Sequence, residues 1–402
     1  MANSDTKKIG LAVATIVGLN AMIGAGIFGT PIKTAQVVGP AAILTFIFVS
    51  IAIYFMADSI ARVATLFPEE GSFYAYTQKW AGHKIGLIAS GAYIFGLIIA
   101  MGALTRIACG EMQHYIPSLS VTILGIITLT LLIGLNAVGV VISEIGQYIL
   151  LALTIFPLVT TILICLFNFD LNLATNFTPN GIFPIFKAAS IPIFGYFGFE
   201  CATSLFRIVK NPERNVPKAI TMGVAIVGFV YVTLVTALIF AVPQNIFIQP
   251  GMTVSTALSL ISPQNIYLVE AIRLCIIAVI CGTINSMIWG VSNLLVSLVG
   301  KMKSTYARNL IKKNIFTQRT AVILFGITMF ISFLTLKSID LLMYTTSVCI
   351  VFAYISSMIT LFTIKQEWTS GRNIKTILGI ITALAIFIFA ADGVIAEITK
   401  LL

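Results

Sequence analysis

The sequence predicts an all-α protein that crosses a membrane about eleven times. Of its 402 residues, 58% are hydrophobic and 9% are charged, and the mean hydropathy is +1.04. A soluble domain carries roughly 25% charged residues. Apolar stretches of about 20 residues, the length of a membrane helix, follow one another along the chain. Two of them are broken midway by a pair of glycines, which is the most informative feature of the sequence.

We number the apolar stretches as spans 1 to 11 in chain order. They cover residues 11–36, 40–66, 86–108, 121–139, 145–167, 184–208, 217–241, 266–300, 319–336, 340–364 and 376–397. The stretch 266–300 is longer than one bilayer crossing requires. It forms either one long helix or two, so the number of spans is eleven or twelve.

Basic residues set the expected orientation. Most of the 24 lysines and arginines fall in loops and span ends on the side of the N-terminus, including the runs 207–218 and 301–319. Because cytoplasmic loops are enriched in Lys and Arg, we expect a cytoplasmic N-terminus, in the inner (plasma) membrane of a bacterium. The net charge of +10 then reflects topology and requires no nucleic-acid partner.

Sequence motifs exclude several classes of function. Five of the six cysteines lie in apolar runs, and the chain has no CxxC motif and no His/Cys cluster. We therefore expect no disulfide framework, no metal site and no cofactor. The HExxH, GxSxG and Walker lysine motifs are also missing, which argues against an enzyme and against ATP-driven transport.

The first glycine pair, Gly24 and Gly26, interrupts span 1. Glycine allows the backbone to leave the helix cheaply. Unwound backbone at membrane depth survives only where it lines a cavity enclosed by protein. The amide N–H groups at the start of the second half-helix, with the positive end of its dipole, suit a carboxylate. The alternative is a small-residue face that packs against another helix.

The second pair, Gly195 and Gly198, lies in span 6 a few residues after Pro192. Carbonyl groups freed by this break could accept hydrogen bonds from an ammonium group. The aromatic rings of Phe194 and Phe197 either wall a pocket or serve ordinary helix packing. Two breaks in corresponding halves of a chain are the best sequence indication of a transporter binding site.

Glu200 follows the second break directly. A carboxylate at the centre of a bilayer costs about 2.5–3.5 kcal/mol on insertion scales and by default marks a functional position. It could be a gate, a proton carrier or a ligand for a basic substrate. The alternative is a protonated structural residue.

Three motifs resemble those of the amino acid–polyamine–organocation superfamily of transporters. They read IGAGIFGTP at 23–31, FPEEGSFYAYTQKWAGHKIG at 67–86, and FGYFGFE at 194–200 followed by VKNPERNVPKAI at 209–220. The last run is the most specific, because it falls on the expected cytoplasmic loop after span 6. The resemblance extends from Lys8 to about Lys365.

The resemblance implies a domain organisation. Two inverted five-helix repeats form the core, with spans 1–5 in residues 11–167 and spans 6–10 in residues 184–364. A cytoplasmic segment, 1–10, precedes the core, and an additional helix lies in 376–402. The substrate is then expected between spans 1, 3, 6 and 8.

The resemblance also implies a set of substrate-binding residues. The residues of span 1 that hold the substrate carboxylate are Gly24, Ala25 and Gly26, beside Ile23. The carbonyl groups that receive its amino group are those of Met22, Phe194 and Phe197. The side chains that face the site from spans 3 and 8 are Tyr93, Met101, Met287 and Trp289, with Asn285 as a polar contact and Glu200 as gate or proton carrier.

Two departures from the family pattern bear on coupling and assembly. Some members carry in span 5 a lysine that occupies the place of a coupling sodium ion, where Thr154 stands in this chain. Exchange, or a different proton site, is therefore favoured over lysine-based coupling. The family's usual twelfth helix is missing, which puts the known dimer contacts in question and leaves a homodimer open.

The leading hypothesis is secondary active transport of an amino acid by alternating access, either as exchange or coupled to protons. The apolar side chains around the expected site favour neutral substrates. Two alternatives stay open: a polyamine or other organic-cation carrier, in which Glu200 binds a second amine, and a transporter-like sensor or channel without catalysed uptake.

Overall fold

The computed structural model describes residues 8–68, 72–139, 144–206, 209–363 and 370–400. The α-helices within these ranges are α1 (Leu11–Met22), α2 (Ala25–Val38), α3 (Ala42–Leu66), α4 (Ser72–Gln113), α5 (Val121–Ala137), α6 (Glu144–Phe167), α7 (Phe183–Lys187), α8 (Pro212–Ile239), α9 (Gln244–Phe247), α10 (Val254–Ile261), α11 (Ile266–Lys301), α12 (Thr305–Lys312), α13 (Gln318–Thr335), α14 (Ile339–Ile359) and α15 (Ser370–Thr399). In the same ranges, β-type pairing is limited to one bridge between Ile9 and Val209.

The helices have the length and composition of membrane spans. Eight helical stretches in the described part of the chain are long and apolar enough to cross a bilayer. The helices α1 and α5 are also apolar but shorter, at 12 and 17 residues. The prediction of an all-α polytopic membrane protein is confirmed.

Span 1 is broken at the predicted position. Helix α1 ends at Met22 and α2 begins at Ala25. Between them, Ile23 (ψ 77°) and Gly24 (φ −117°, ψ −142°) lie outside the helical region. The break therefore releases backbone polar groups in the middle of an apolar stretch.

Span 6 is also broken, and more extensively than expected. It contains two 3-10 segments, Pro192–Tyr196 and Phe199–Leu205, instead of two α-helical halves. Between them Phe197 is extended (φ −62°, ψ 138°) and Gly198 has φ 119°, a value that side chains disfavour and glycine adopts freely.

Two elements differ from their predicted bounds. Helix α4 begins at Ser72 instead of residue 86 and kinks at Gly82 (φ 77°), so most of the segment expected to be a loop is helical. The reason is that this polar segment has a buried face, since Phe73 and Tyr76 are almost fully buried. The stretch 266–300 is a single helix, α11, of 36 residues.

The two ends of the helix bundle are distinguished by their contacts. At one end the Ile9–Val209 bridge ties the start of the described chain to the segment after span 6, and the Lys210 N–H donates to the Ile9 carbonyl at 2.9 Å. We call this the Ile9 end and the opposite one the far end. Helices α1, α2 and α4 run toward the far end, and α11 runs away from it.

Candidate functional site

The two broken segments touch each other through glycine backbone. A Cβ atom at Gly26 would lie 2.4 Å from the Cα of Gly195 and 3.4 Å from the Phe194 carbonyl oxygen. A Cβ at Gly24 would lie 2.9 Å from the hydroxyl of Thr283 on α11. Only glycine permits this close approach. The same glycines therefore pack two segments together and leave the backbone of span 1 unwound, so the two interpretations of the glycine pair are compatible.

A small cavity of about 30 Å³ adjoins this contact, between α1, α2, α4, α11 and the break of span 6. Seven of the predicted site residues line it, namely Met22, Gly24, Gly26, Met101, Phe194, Phe197 and Met287. The sequence interpretation missed five more, namely Ala21, Leu97, Ala100, Leu104 and Thr283. The residues of α4 recur every three or four positions, which is the spacing of one helix face.

The polar groups at the cavity come mainly from the backbone. The first N–H groups of α2, beginning at Ala25, have no partner within the helix. Its N-cap, Gly24, has no side chain that could cap them. The helix dipole adds positive potential at the same place. The arrangement can hold a carboxylate, while the side chains around it are almost all apolar.

The carbonyl of Met22 is already occupied by hydrogen bonds. It accepts from the Gly24 N–H at 2.9 Å and from the hydroxyl of Tyr231 at 3.1 Å. A carbonyl oxygen has two lone pairs, so in this conformation an ammonium group would share the Met22 oxygen with these donors. The Met22 carbonyl as a partner of the substrate amino group stays a prediction.

Tyr231 on α8 joins the two breaks. Besides the Met22 carbonyl in span 1, its hydroxyl bonds the Gly195 carbonyl in span 6 at 2.8 Å, and the side chain is fully buried. A tyrosine within an apolar span carries no signal of this role in the sequence. Its position at the level of both breaks becomes apparent only from the packing of α8 against them.

Glu200 is buried and held by three donors. One carboxylate oxygen accepts from the Tyr93 hydroxyl at 2.8 Å. The other accepts from the Tyr354 hydroxyl at 2.6 Å and from the Gly198 N–H at 3.0 Å. Its carboxylate thus links the break in span 6 with α4 and α14. Glu200 and Tyr93 are not among the residues that line the cavity, and their side chains bond each other.

The remaining predicted residues lie elsewhere. Ile23 is buried beside the break, and the side chain of Ala25 lies outside the described part of the structure. Asn285 accepts a hydrogen bond from Asn136 on α5 at 2.6 Å. Trp289 is 41% exposed. It follows Met287 by two positions, about 200° around a helix of 3.6 residues per turn, so both cannot face one cavity, and the placement of Trp289 at the site is corrected.

Two other polar contacts involve residues that do not line the cavity, and residue types in the sequence argue against a metal site. The hydroxyl of Thr154 donates to the Leu150 carbonyl of its own helix at 2.7 Å. On α11, Arg273 donates to Glu270, three positions earlier, at 2.8 Å. Within the described ranges, no group of three or more His, Cys, Asp or Glu residues could hold a metal ion.

Comparison with known proteins gives a consistent result. The family model described as amino acid permease matches residues 9–397. The chain is 26% identical to an uncharacterized amino acid permease, YecA, of Bacillus subtilis, over 55% of this chain and 52% of the relative. It is 24% identical to the branched-chain amino acid permease BcaP of the same species, over 59% and 55%.

A plant transporter matches the chain at a similar level of identity. The mitochondrial cationic amino acid transporter 3 of Arabidopsis thaliana is 25% identical, over 60% of this chain and 44% of the relative. The chain thus spans about half the length of the curated relatives it matches. The family match extends over nearly all of the chain, and it is a match to transporters and not to enzymes. From its sequence and its broken-helix architecture, the chain belongs to the amino acid permease family.

Proposed function

We propose that the protein carries amino acids across the membrane by alternating access. The observation that carries this proposal is the convergence of two broken helices on one cavity at membrane depth. There the N-terminal amides of α2 offer a site for a carboxylate, and the Phe194 carbonyl lies next to Gly26. The two charged groups of every α-amino acid match these two kinds of backbone group.

The cavity size indicates a closed state of the carrier. The volume open to the centres of water molecules is about 30 Å³. One water molecule needs at least about 10–15 Å³ of such volume, so the cavity accommodates one or two. An amino acid is much larger, so the helices must separate before it binds. We propose the two inverted repeats, 11–167 and 184–364, as the units that move, with the N-terminus in the cytoplasm.

The cavity walls favour neutral substrates. Leu97, Met101, Leu104 and Met287 line it with apolar surface, and Thr283 is the one polar side chain among the lining residues. The carboxylate of Glu200 is engaged with tyrosines instead. Apolar walls discriminate weakly, by about 1–3 kcal/mol per methylene, so we expect a broad range of neutral amino acids. Related transporters named for branched-chain and for cationic amino acids define the two classes to compare.

Uptake and counterflow in proteoliposomes test the proposed function. Purified protein should accumulate a labelled neutral amino acid when the vesicles are loaded with an unlabelled one. Because Thr154 stands where some relatives have a lysine, we expect exchange to exceed uptake driven by a pH gradient. Vesicles that bind but do not accumulate the label would indicate a sensor. Non-saturable flux would indicate a channel.

A competition experiment tests the carboxylate site. We expect N-acetylated amino acids, amino acid esters and decarboxylated amines such as putrescine to leave uptake of the labelled substrate unchanged. They lack one of the two charged groups that the broken helices recognise. The parent amino acids should compete fully. If putrescine competes as well as the amino acids do, the polyamine alternative is favoured. The proposed binding of a carboxylate at the N-terminus of α2 would then be wrong.

A substitution at Tyr231 tests whether the two breaks act together. Tyr231→Phe removes the hydroxyl that bonds the Met22 and Gly195 carbonyls. We expect substrate affinity to fall by about threefold to tenfold, the effect of one or two neutral hydrogen bonds. Binding of labelled substrate to detergent-solubilised protein measures it. Tyr267→Phe, at a side chain that is 90% exposed, is the matched control and should bind normally.

A further inference from the structure

The segment that connects α11 to α13 is strongly basic. Residues 301–319, which we call the basic segment, contain no Asp or Glu and six basic residues, namely Lys301, Lys303, Arg308, Lys312, Lys313 and Arg319. None of them lines the cavity. Because the segment has no carboxylate of its own to neutralise these charges, it attracts anionic partners.

The basic segment lies at the Ile9 end of the bundle. Helix α11 runs away from the far end and ends at Lys301, and α13 begins at Gln318. Lys301 Nζ lies 5.7 Å from the centre of the ring of Tyr74, in the first turn of α4. Helix α12 thus joins two membrane spans where both reach the same surface of the bundle. Its eight residues extend about 12 Å at 1.5 Å per residue, which is too short to cross a bilayer.

Helix α12 is amphipathic. At about 3.6 residues per turn, one face carries the apolar residues Tyr306, Ala307, Leu310 and Ile311. The opposite face includes Asn309, Lys312 and Lys313, and both lysines are exposed. A basic face opposite an apolar face is typical of helices that lie in the headgroup region of a membrane.

The apolar face of α12 is only partly covered by protein. The helix packs against α11, and Ala307 is 6% exposed. Tyr306 is 74% exposed, and Ile315, just beyond the end of the helix, is 56% exposed. Exposed tyrosine and aliphatic side chains next to lysines match the boundary between headgroups and acyl chains, where one end of a side chain is apolar and the other is wet.

The length of α12 also calls for a supporting surface. Isolated helices shorter than about 12–15 residues are marginal in water, and α12 has eight residues. The contact with α11 supports one side of it. An anionic membrane surface supports the other, because it accepts the lysines and the uncovered apolar side chains together.

We propose that the basic segment binds the headgroups of anionic lipids in the leaflet at the Ile9 end. The ammonium groups of Lys312 and Lys313 contact lipid phosphates, and Tyr306 enters the headgroup region. The contact anchors the end of α11, the helix that carries Thr283 and Met287 at the cavity. This inference does not depend on which molecule the cavity binds or on whether the protein transports it.

Hydrogen–deuterium exchange of the whole protein measures the binding. The protein is placed in nanodiscs of phosphatidylcholine with or without anionic phosphatidylglycerol, and exchange of the amides of Thr305–Lys312 is followed by mass spectrometry. Each lysine near an anionic leaflet strengthens binding by about fivefold. We therefore expect these amides to exchange at least about tenfold more slowly with phosphatidylglycerol. Salt at about 1 M, where the Debye length is about 3 Å, should remove most of this protection.

Three double variants separate charge, position and folding. Lys312→Gln with Lys313→Gln should lose the protection that phosphatidylglycerol gives. Lys312→Arg with Lys313→Arg keeps both charges and should retain it. Lys84→Gln with Lys218→Gln removes two exposed lysines at the same end of the bundle, outside the basic segment, and should also retain it. Thermal melting checks that each variant is folded.

Each result decides for or against the proposal. Equal exchange of the α12 amides in the two kinds of nanodisc would overturn it, and so would protection that persists in the folded glutamine pair. Inorganic phosphate added to phosphatidylcholine nanodiscs is a separate arm. Protection in that arm would show that a free anion binds α12 and that the lipid assignment is wrong. Protection by phosphatidylglycerol that is lost in the glutamine pair and kept in the arginine pair supports the lipid site.

Discussion

Replacement of Gly26 by alanine is expected to abolish transport. The new Cβ would lie 2.4 Å from the Cα of Gly195 and 3.1 Å from its amide nitrogen. Both are backbone atoms, so no side chain can rotate out of the way, and the two broken segments must separate. We expect exchange of labelled amino acid in proteoliposomes to fall at least about tenfold, which corresponds to ~1.4 kcal/mol.

Two other glycines of span 1 provide matched comparisons. Gly18→Ala places its Cβ where no atom lies within 4 Å and should transport normally. The atoms nearest to a Cβ at Gly24 belong to the side chain of Thr283, the closest at 2.9 Å, so Thr283→Ala in the same protein as Gly24→Ala should restore part of the activity. Normal transport by folded Gly26→Ala protein would show that the contact between the two breaks is dispensable.

The fold could be predicted well from the sequence because two strong signals determine it. Apolar stretches set the spans, and glycine pairs set the breaks at Gly24 and Gly198. The bounds of α4 were harder to predict. Its first turns are polar and were expected to form a loop, but tertiary packing of Phe73 and Tyr76 outweighs that local composition. Composition reports the average environment of a segment, whereas one buried face is enough to fix a helix.

The site could be predicted only in part, because the sequence does not show in which direction each side chain of a helix points. Backbone groups at a break are exposed wherever the break is, and Gly24, Gly26 and Phe194 do line the cavity. Side chains on a continuous helix point in directions that depend on how the helix is rotated. Met287 and Trp289 illustrate this: both belong to span 8, yet only Met287 lines the cavity.

Contacts between distant parts of the chain account for what the sequence does not reveal. Glu111 pairs with Arg273, which lies 162 residues away along the chain, and both side chains are buried. Tyr231 has no local feature that marks it as the link between the two breaks. Such roles arise from partners that meet only in the folded protein.

The role of Glu200 can be resolved by changing reach and charge separately. Glu200→Asp keeps the charge but shortens the side chain by one methylene. It can no longer meet Tyr93 and Tyr354 while accepting from the Gly198 N–H. Glu200→Gln keeps the reach, and its amide can donate to one tyrosine and accept from the other donors. Glu200→Ala removes both properties.

We expect Glu200→Ala and Glu200→Asp to lose at least about tenfold in exchange, since each removes hydrogen bonds to a charged group, worth roughly 1.5–3 kcal/mol. Glu200→Gln should retain most of the exchange. The measurement is counterflow of a neutral and of a cationic amino acid in parallel, at two values of pH. We expect the ratio of the two substrates to be unchanged in every variant, because the carboxylate does not line the cavity.

Each alternative role predicts a different pattern in these assays. A direct ligand for a cationic side chain would make Glu200→Gln lose cationic substrates and spare neutral ones. A proton carrier would make Glu200→Gln keep exchange and lose accumulation driven by a pH gradient. If Glu200→Asp and Glu200→Ala lose exchange and Glu200→Gln retains it, the side chain acts through its position and not through its charge. In that case the three donors from Gly198, Tyr93 and Tyr354 hold the unwound segment of span 6 in its active shape. The carboxylate then serves transport through geometry, although its charge made it conspicuous in the sequence.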